Sequence, residues 1–285
     1  MEIVDKLLRG VNDFPTLPTI YSALSDVMAN PLSTANDAAD VILRDQASAA
    51  KVLKTANSSI YGFRGRIDTI SQAIFYIGFD EVKNLVLALS IIDLFSKSSL
   101  IENLNPVDLW KHSIAVGVAT RIIGVNIKAV RIENFFLAGI LHDIGKLLFI
   151  RNMEEEYNKT INYALEKKIS IREAEAELLG MTHTVAGELI AEKWKLPLSI
   201  RNAIRHHYIG IVNGVPDKLA ASVHIANILC QMLRLGESGH HIVKEPNIEV
   251  WETLNLPKNI FSTIIPKILS DYDESLTLFQ LKRSR

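Results

Sequence analysis

The sequence predicts an all-α protein, and three observations lead to this fold class. Valine, isoleucine and leucine recur at intervals of three and four residues, as on one face of a helix, instead of alternating as in a strand. Residues typical of helix caps stand at the boundaries of these apolar segments. The Asn213-Gly214 pair lacks alternating apolar runs on either side, so we interpret it as a loop between helices and not as a β-hairpin turn.

The first predicted helices lie between residues 15 and 56. Pro15 and Pro18 precede a segment with apolar residues at helical spacing, and Asn30-Pro31 ends it. Asp45 is expected to cap the N-terminus of a following helix that ends near Ala56.

Two further helices are predicted between residues 69 and 94. Thr69 and Gln72 have the spacing of a capping box, in which each side chain binds the backbone N–H near the other residue. Gly78 fits the position just after a helix C-terminus, and Asp80 is expected to cap the next helix, which runs through Leu94.

The rest of the chain continues the helical pattern. Asn105 before Pro106 predicts a helix start, and that helix should extend to about Ile123. A Gly-Glu-Ser-Gly loop at 236–239 precedes amphipathic helices around Trp251 and over 260–269. The least apolar junction lies at 96–105, so we predict an N-terminal helical subdomain at 1–100, a central domain at 101–231 and a C-terminal helical extension at 232–285.

Composition limits the classes of partner and compartment. The 31 basic and 32 acidic residues leave a net charge of −1, and no cluster of Lys and Arg predicts nucleic-acid binding. The most apolar run, Leu85 to Ile92, is far shorter than the roughly 20 residues of a membrane-spanning helix. No signal peptide is recognised, and the single cysteine, Cys230, is expected to be a buried apolar residue. We therefore expect a cytoplasmic protein without a membrane span.

Five of the eight histidines and one aspartate form the pattern that predicts a metal site. Each lies beside an apolar helical segment, and they are His112, His142, Asp143, His183, His206 and His207. Imidazole and carboxylate groups are ligands for zinc, iron, nickel and manganese. The adjacent His142 and Asp143 would point roughly 100° apart on a helix, and both could serve one metal cluster if the carboxylate bridges two ions.

Spacing alone leaves a second interpretation open. A histidine on a helix is often a hydrogen-bonded core or surface residue and not a ligand. We interpret His224, His240 and His241 in that way, as structural or solvated side chains.

The residues around the histidines resemble a known family. His112 followed by His142-Asp143-x-Gly145-Lys146 resembles the signature of the HD superfamily of metal-dependent phosphohydrolases. The wider chain, from about residue 10 to about 230, resembles the HDOD branch. Its motifs are Leu17-Pro18, Ile42-Leu43-Arg44-Asp45, Ala56-Asn57-Ser58-Ser59-x-Tyr61-Gly62, Gln72-Ala73-Ile74 with Gly78, Leu109-Trp110-x-His112-Ser113, Glu175-x-Glu177-x-x-Gly180-x-x-His183-x-x-x-Gly187 and Trp194-x-Leu196-Pro197.

This resemblance implies an HD-domain-like helical core with an N-terminal helical subdomain. It also implies a ligand set for one or two divalent ions of iron, manganese, nickel or zinc, by analogy with the HD-GYP phosphodiesterases that cleave cyclic dinucleotides. The matching positions are His112, His142, Asp143, His183, His206 and His207. Asp143 would bridge the ions and Lys146 would contact a substrate phosphate, so the resemblance makes these two the candidate catalytic residues.

Two departures from the HD-GYP pattern count against that activity. Its last aspartate ligand is replaced by Asn227, whose neutral amide is a poorer ligand than a carboxylate. Its Asp-Gly-x-Gly-Tyr-Pro segment is absent, since His207 is followed by Tyr208-Ile209-Gly210-Ile211.

Two functional hypotheses follow from the resemblance. The first is a non-catalytic signalling protein that can retain a divalent metal. Its partner would be a protein of a bacterial signalling pathway or a cyclic nucleotide, and its N-terminal helices would bind a protein partner. The alternative is a metal-dependent phosphohydrolase that acts on a nucleotide or a cyclic dinucleotide.

Overall fold

The chain folds into packed helices, as seen in a computed structural model that describes residues 2–63, 65–96, 103–239, 242–257, 259–279 and 281. This confirms the predicted all-α class. The first six helices are α1 (Glu2–Asp13), α2 (Thr19–Ala29), α3 (Ala35–Leu43), α4 (Gln46–Ala56), α5 (Ile70–Ile77) and α6 (Phe79–Ser96).

The remaining elements include the only strands in the described part of the chain. They are α7 (Pro106–Asn126), α8 (Glu133–Leu141), α9 (Ile144–Asn152), α10 (Glu154–Lys167), α11 (Ile171–Leu179), α12 (His183–Lys193), α13 (Leu198–His206), β1 (Ile211–Val212), β2 (Val215–Pro216), α14 (Lys218–Met232), α15 (Ile248–Leu254) and α16 (Ile260–Leu278). None of the described helices is long and apolar enough to cross a membrane.

Most of the predicted helix caps are formed. The Asp45 side chain accepts hydrogen bonds from two backbone N–H groups at the start of α4, and Thr69 forms the predicted capping box with Gln72. Asn105 caps α7 in the same way, with Pro106 as the first helical residue. The expectation for Asp80 is wrong, because α6 already begins at Phe79 and Asp80 lies in its first turn. An acidic residue also stabilises that position through the helix dipole.

The interpretation of Asn213-Gly214 as a plain loop is also wrong. These two residues connect β1 and β2, which pair antiparallel with Val212 opposite Val215. Asn213 and Gly214 have φ angles of 51° and 80°, the positive values that a tight two-residue hairpin turn needs. The strands are only two residues long, too short to produce an alternating pattern in the sequence.

Helix α7 is the centre of the fold. Its residues from Leu109 to Thr120 are all buried, including the polar side chains of His112, Ser113 and Thr120. It packs against α8, α14 and α16, so apolar contacts surround it on several sides. A helix that is buried all round is held in place by the whole core, which fixes the position of His112.

Helices α9 and α12 approach each other unusually closely. A Cβ atom at Gly145 would lie 2.0 Å from the carbonyl oxygen of His183 and 2.6 Å from the backbone nitrogen of Gly187. Only glycine allows this contact. It brings the start of α12, with His183, against the start of α9, which follows Asp143.

Candidate metal centre

The candidate metal centre is a buried cluster where several helix ends meet. His112 lies on α7, His142 and Asp143 connect α8 to α9, His183 begins α12, and His207 follows α13. All five side chains are at most 1% exposed.

The ligand atoms of these residues form two groups that share Asp143. Within each group the atoms lie within 4.8 Å of one another, and the groups are His112, His142 and Asp143, and Asp143, His183 and His207. Asp143 belongs to both groups, and its carboxylate has two oxygens that face different histidines of the cluster.

Three of the four imidazoles of the cluster are oriented in one common way. Each of the three has its Nδ1 atom beside an oxygen that can only accept a hydrogen bond, so Nδ1 carries the proton and the Nε2 lone pair points away from it. The acceptors are Gly139 O for His142 (2.7 Å), Glu175 Oε2 for His183 (2.6 Å) and Ile204 O for His207 (2.9 Å). His112 has an acceptor oxygen beside each ring nitrogen, Leu235 O at 3.2 Å from Nδ1 and Asn227 Oδ1 at 2.9 Å from Nε2.

The Nε2 atoms converge on the Asp143 carboxylate. The Nε2 atom of His142 lies 3.2 Å from Asp143 Oδ2, and those of His183 and His207 lie 3.4 and 3.7 Å from Oδ1. Among the described residues, no hydrogen-bond partner is found for Asp143 Oδ1 or for Nε2 of His142 and His207. Buried acceptors facing one another are unfavourable unless a cation lies between them. The cluster is therefore able to bind a metal ion.

The electrostatics of the cluster also suit a cation. Burial lowers the pKa of His112 to about 4, with a further contribution from His142, and burial lowers the pKa of His207 as well. Burial alone would raise the pKa of Asp143, but its interactions with His142 and Lys146 hold it well below the usual value. Neutral imidazoles and an ionised carboxylate are the states in which these groups bind metals.

Lys146 is part of this cluster and is fully buried. Its Nζ atom donates hydrogen bonds to Asp143 Oδ2 (2.6 Å) and to the carbonyl oxygen of Ser238 (2.7 Å). The ammonium group is thus held between the Asp143 carboxylate and the backbone of a loop from another part of the chain.

That loop, residues 235–239, is called the covering loop below. The Leu235 carbonyl oxygen lies 3.2 Å from Nδ1 of His112, and the Ser238 carbonyl accepts from Lys146. Gly236 has a φ of 69° and lies so close to α7 that a Cβ there would be 2.2 Å from the backbone nitrogen of His112. The Glu237 N–H donates to the carbonyl oxygen of Asp108. The covering loop therefore closes the cluster above His112 and Lys146.

Asn227 lies at the edge of the cluster, on α14. Its Oδ1 atom is 2.9 Å from Nε2 of His112 and also accepts a hydrogen bond from Gln231. Asn227 thus occupies a position next to a ligand atom, but it brings a neutral amide there and no negative charge.

The structure brings together five of the six residues that the sequence predicts as metal ligands. His206 is the last residue of α13, only partly buried, and belongs to neither ligand group. Consecutive residues at a helix end point in different directions, and His207 is the one that faces the cluster. His224 binds the His207 carbonyl and the Asn247 N–H, which agrees with a structural role. His240 and His241 lie outside the described residues.

The sequence did not point to the covering loop or to Glu175 as partners of the cluster. The loop acts through backbone carbonyls, which leave no residue-type signal. Glu175 lies in the Glu-x-Glu motif that precedes His183, and this motif was a usable signal.

A small cavity adjoins the cluster beside His207 and Asn227. Its volume is about 30 Å³, and Tyr208 and Lys244 also line it.

Comparison with known proteins places the chain among helical relatives. The family model for the HDOD domain matches residues 14–209. A crystal structure of an HDOD domain protein with unknown function from Geobacter sulfurreducens is 27% identical, with a TM-score of 0.78 over 98% of this chain and 100% of that one. A Shewanella amazonensis SB2B protein with the provisional name phosphohydrolase is 23% identical, with a TM-score of 0.72 over 96% of this chain and 98% of that one.

A curated relative is much longer than this chain. It is an uncharacterized protein of Treponema pallidum (strain Nichols), 23% identical over 225 residues, which are 78% of this chain and 43% of the relative. The chain thus spans less than half the length of that relative.

Proposed function

Since this chain belongs to the HDOD domain family, we propose that it is a regulatory protein that binds a divalent metal without hydrolysing a phosphate ester. The observation that carries this proposal is the position of Lys146. In the enzymes that the sequence resembles, this lysine contacts the substrate phosphate. Here both recorded hydrogen bonds of its ammonium go to the protein itself, to Asp143 and Ser238, and its side chain has no exposed surface.

Access to the centre supports the same proposal. The candidate ligand residues are buried, the covering loop packs against α7, and the adjoining cavity is small, about 30 Å³. A phosphodiester would have to displace the covering loop before it reached Asp143. Asn227 weakens the case for catalysis further, because it removes a negative charge beside His112.

The proposed ligands are His112, His142, Asp143, His183 and His207, with Asp143 as the bridge between two ion positions. Imidazole-rich ligand sets suit iron, manganese, nickel or zinc. The position on the His183 and His207 side binds its ion more tightly, because the position on the His112 side has the neutral Asn227 as its neighbour. The regulatory role is exerted on a protein of a bacterial signalling pathway or in response to a cyclic nucleotide.

Two measurements on the full-length protein test the proposal. Elemental analysis of protein purified without chelators should find at least about one equivalent of transition metal per chain. Turnover of bis(p-nitrophenyl) phosphate and of cyclic dinucleotides with added manganese should not exceed that of the Asp143→Ala variant. Metal-free wild-type protein that also fails to take up added metal would refute the metal-binding part. Turnover that Asp143→Ala abolishes would refute the non-catalytic part.

The alternative function is a metal-dependent phosphohydrolase, and one observation favours it: five ligand groups and Lys146 converge at a single point. In that case the covering loop moves away, and Lys146 exchanges the Ser238 carbonyl for a phosphate oxygen of the substrate. Asp143 keeps its place between the two ligand groups. A bound divalent ion would act as a Lewis acid toward the phosphoryl group. The turnover assay with the Asp143→Ala control distinguishes this alternative.

A further inference from the structure

Two tyrosine–glutamate pairs connect α10 to α11, and they lie in very different surroundings. The Tyr157 hydroxyl donates to Glu175 Oε1 at 3.0 Å, and both side chains are fully buried. The Tyr163 hydroxyl donates to Glu177 Oε2 at 2.8 Å, and this second pair lies at the surface. The same tyrosine–glutamate hydrogen bond therefore occurs twice, once buried beside the candidate metal centre and once exposed at the surface.

The buried carboxylate of Glu175 holds His183 at two points. Its Oε2 atom accepts one hydrogen bond from the backbone N–H of His183 (2.8 Å) and one from its Nδ1 atom (2.6 Å). The first bond satisfies an N–H at the start of α12, where the Thr182 side chain forms no cap. The second bond sets the orientation and the protonated nitrogen of the imidazole ring.

The turn between α11 and α12 makes this contact possible. Gly180 follows α11 with a φ of 68°, a left-handed conformation that suits glycine, and the chain then folds back to place His183 against Glu175. The spacing Glu175-x-Glu177-x-x-Gly180-x-x-His183 thus has a physical meaning: it encodes a carboxylate, a turn and the ligand that the carboxylate orients.

We propose that Glu175 and Tyr157 are positioning residues of the metal centre, with Glu175 orienting His183 toward the ion and Tyr157 orienting Glu175. This inference rests on the proposed function, since it requires that the centre binds a metal. Neither residue contacts the ion position itself; each acts through the next one, in the order Tyr157, Glu175, His183.

The charges around the centre give Glu175 a second effect. The Asp143 carboxylate is already paired with the ammonium of Lys146. Glu175 accepts its hydrogen bonds from the hydroxyl of Tyr157 and from His183. A carboxyl group that accepts from the far nitrogen of a ligating imidazole makes that imidazole a more basic and stronger metal ligand. Burial and the neighbouring Glu175 raise the pKa of Tyr157 well above its usual value, so the phenol remains a donor.

The test is a cobalt(II) titration of full-length, metal-stripped protein, with affinity measured by competition with a chelator and the ligand geometry followed by the visible absorption of bound cobalt. Glu175→Gln should weaken cobalt binding about 10–100-fold and change the absorption bands, because outer-shell carboxylates have effects of this size. Tyr157→Phe should weaken binding about fivefold, as expected for one lost hydrogen bond.

The exposed pair supplies matched controls. Glu177→Gln and Tyr163→Phe remove the same chemical groups from the same two helices, and they should leave both affinity and absorption unchanged. Circular dichroism and the unfolding midpoint of each metal-free variant verify the fold. If Glu175→Gln does not fold, Tyr157→Phe, which keeps the carboxylate in place, carries the test.

The outcomes separate this inference from the proposed function. Wild-type protein that binds no cobalt refutes the metal centre itself. Wild-type protein that binds cobalt, with unchanged affinity and absorption in the folded buried-pair variants, overturns the positioning role alone. Equal losses in the buried and exposed pairs also overturn it, because they would indicate a general loosening of α10 and α11.

Discussion

At the scale of single residues, Asp143 and Lys146 form a pair whose two members depend on each other. Both are fully buried, and the Lys146 ammonium lies 2.6 Å from the Asp143 carboxylate. Burying a charge is costly unless a partner compensates it, so removal of one member strands the other. The same carboxylate belongs to both candidate ligand groups. One side chain therefore takes part both in the buried ion pair and in the proposed metal site.

We predict that Asp143→Ala destabilises the metal-free protein by about 3–5 kcal/mol. The Lys146 ammonium would stay buried without its carboxylate partner and would keep its hydrogen bond to the neutral Ser238 carbonyl. The double variant Asp143→Ala, Lys146→Met removes the stranded charge and should recover at least half of that loss. Urea unfolding measures both. As a control, Lys6→Ala breaks the surface pair with Glu156 and should cost less than about 1 kcal/mol. If Asp143→Ala is as stable as Lys6→Ala, the buried pair of Asp143 and Lys146 does not stabilise the fold.

We also predict that the metal-free protein loses stability as the pH falls from 7 to 4. In the folded protein the pKa of His112 is lowered to about 4, mainly by burial, so the unfolded chain binds the proton first, below about pH 6.5. Folding therefore becomes less favourable through this window, by roughly 3 kcal/mol from His112 alone. His207 and Asp143 change stability in the same direction, since their pKa values are lowered as well.

Urea unfolding at several pH values measures this effect, and His112→Gln should reduce the dependence on pH. An equal slope in the wild type and in His112→Gln would mean that His112 is not buried as a neutral imidazole.

What the sequence can predict at this scale depends on how a residue acts. His112, His142, Asp143, His183 and His207 carry recognisable side-chain chemistry, and the structure brings them together. His206 carries the same chemistry, but its direction at the end of α13 is set by helix geometry and packing that a single sequence does not reveal. Leu235 and Ser238 contact the cluster through their backbone carbonyls, so their side-chain chemistry gives no sign of this contact.

At the scale of elements, the covering loop closes one side of the candidate centre, above His112 and Lys146. It contacts α7 through Gly236 and the Glu237 N–H, and it contacts Lys146 through the Ser238 carbonyl. These contacts involve backbone atoms, and the Leu235 side chain adds apolar packing in the core. A change at one residue of the loop is therefore expected to move the whole segment.

We predict that Gly236→Ala displaces the covering loop, since the added Cβ would lie 2.2 Å from the His112 backbone nitrogen. The variant should lose about 1–3 kcal/mol of stability, and the amides of residues 235–239 should exchange hydrogen faster. Gly214→Ala is the matched control: it has a similar φ of 80°, but its Cβ would meet nothing within 4 Å. Equal effects in the two variants would attribute the loss to backbone strain and not to the contact with α7.

Helix ends were predicted well where a side chain caps them, as at Asp45, Thr69 and Asn105. The sequence does not predict the correct local structure where the same residues fit two different local conformations. Asp80 is compatible with a cap and with the first turn of a helix, and packing after Gly78 selects the second. The Asn213-Gly214 turn was misjudged because β1 and β2 are too short for an alternating pattern.

At the scale of the whole molecule, the candidate metal centre depends on contacts that join distant parts of the chain. Residues 112 to 207 supply the candidate ligands, the covering loop comes from beyond residue 234, and α1 packs against α9 and α12. The all-α class and the helical order follow from periodicity and caps. The closure of the candidate centre cannot be predicted from periodicity and caps, because it depends on how closely the covering loop packs against α7. The division of the chain at residues 100 and 231 remains a prediction.

The most direct test of the metal centre is anomalous X-ray scattering from crystals of protein purified without chelators from a metal-supplemented culture. We predict a peak between the Asp143 carboxylate and the Nε2 atoms of His183 and His207, with any second, weaker peak on the side of His112 and His142. The covering loop should still be closed over Lys146. An absence of anomalous density at Asp143 would contradict the account. A metal bound elsewhere would also contradict it, with these imidazoles hydrogen-bonded to one another or to water.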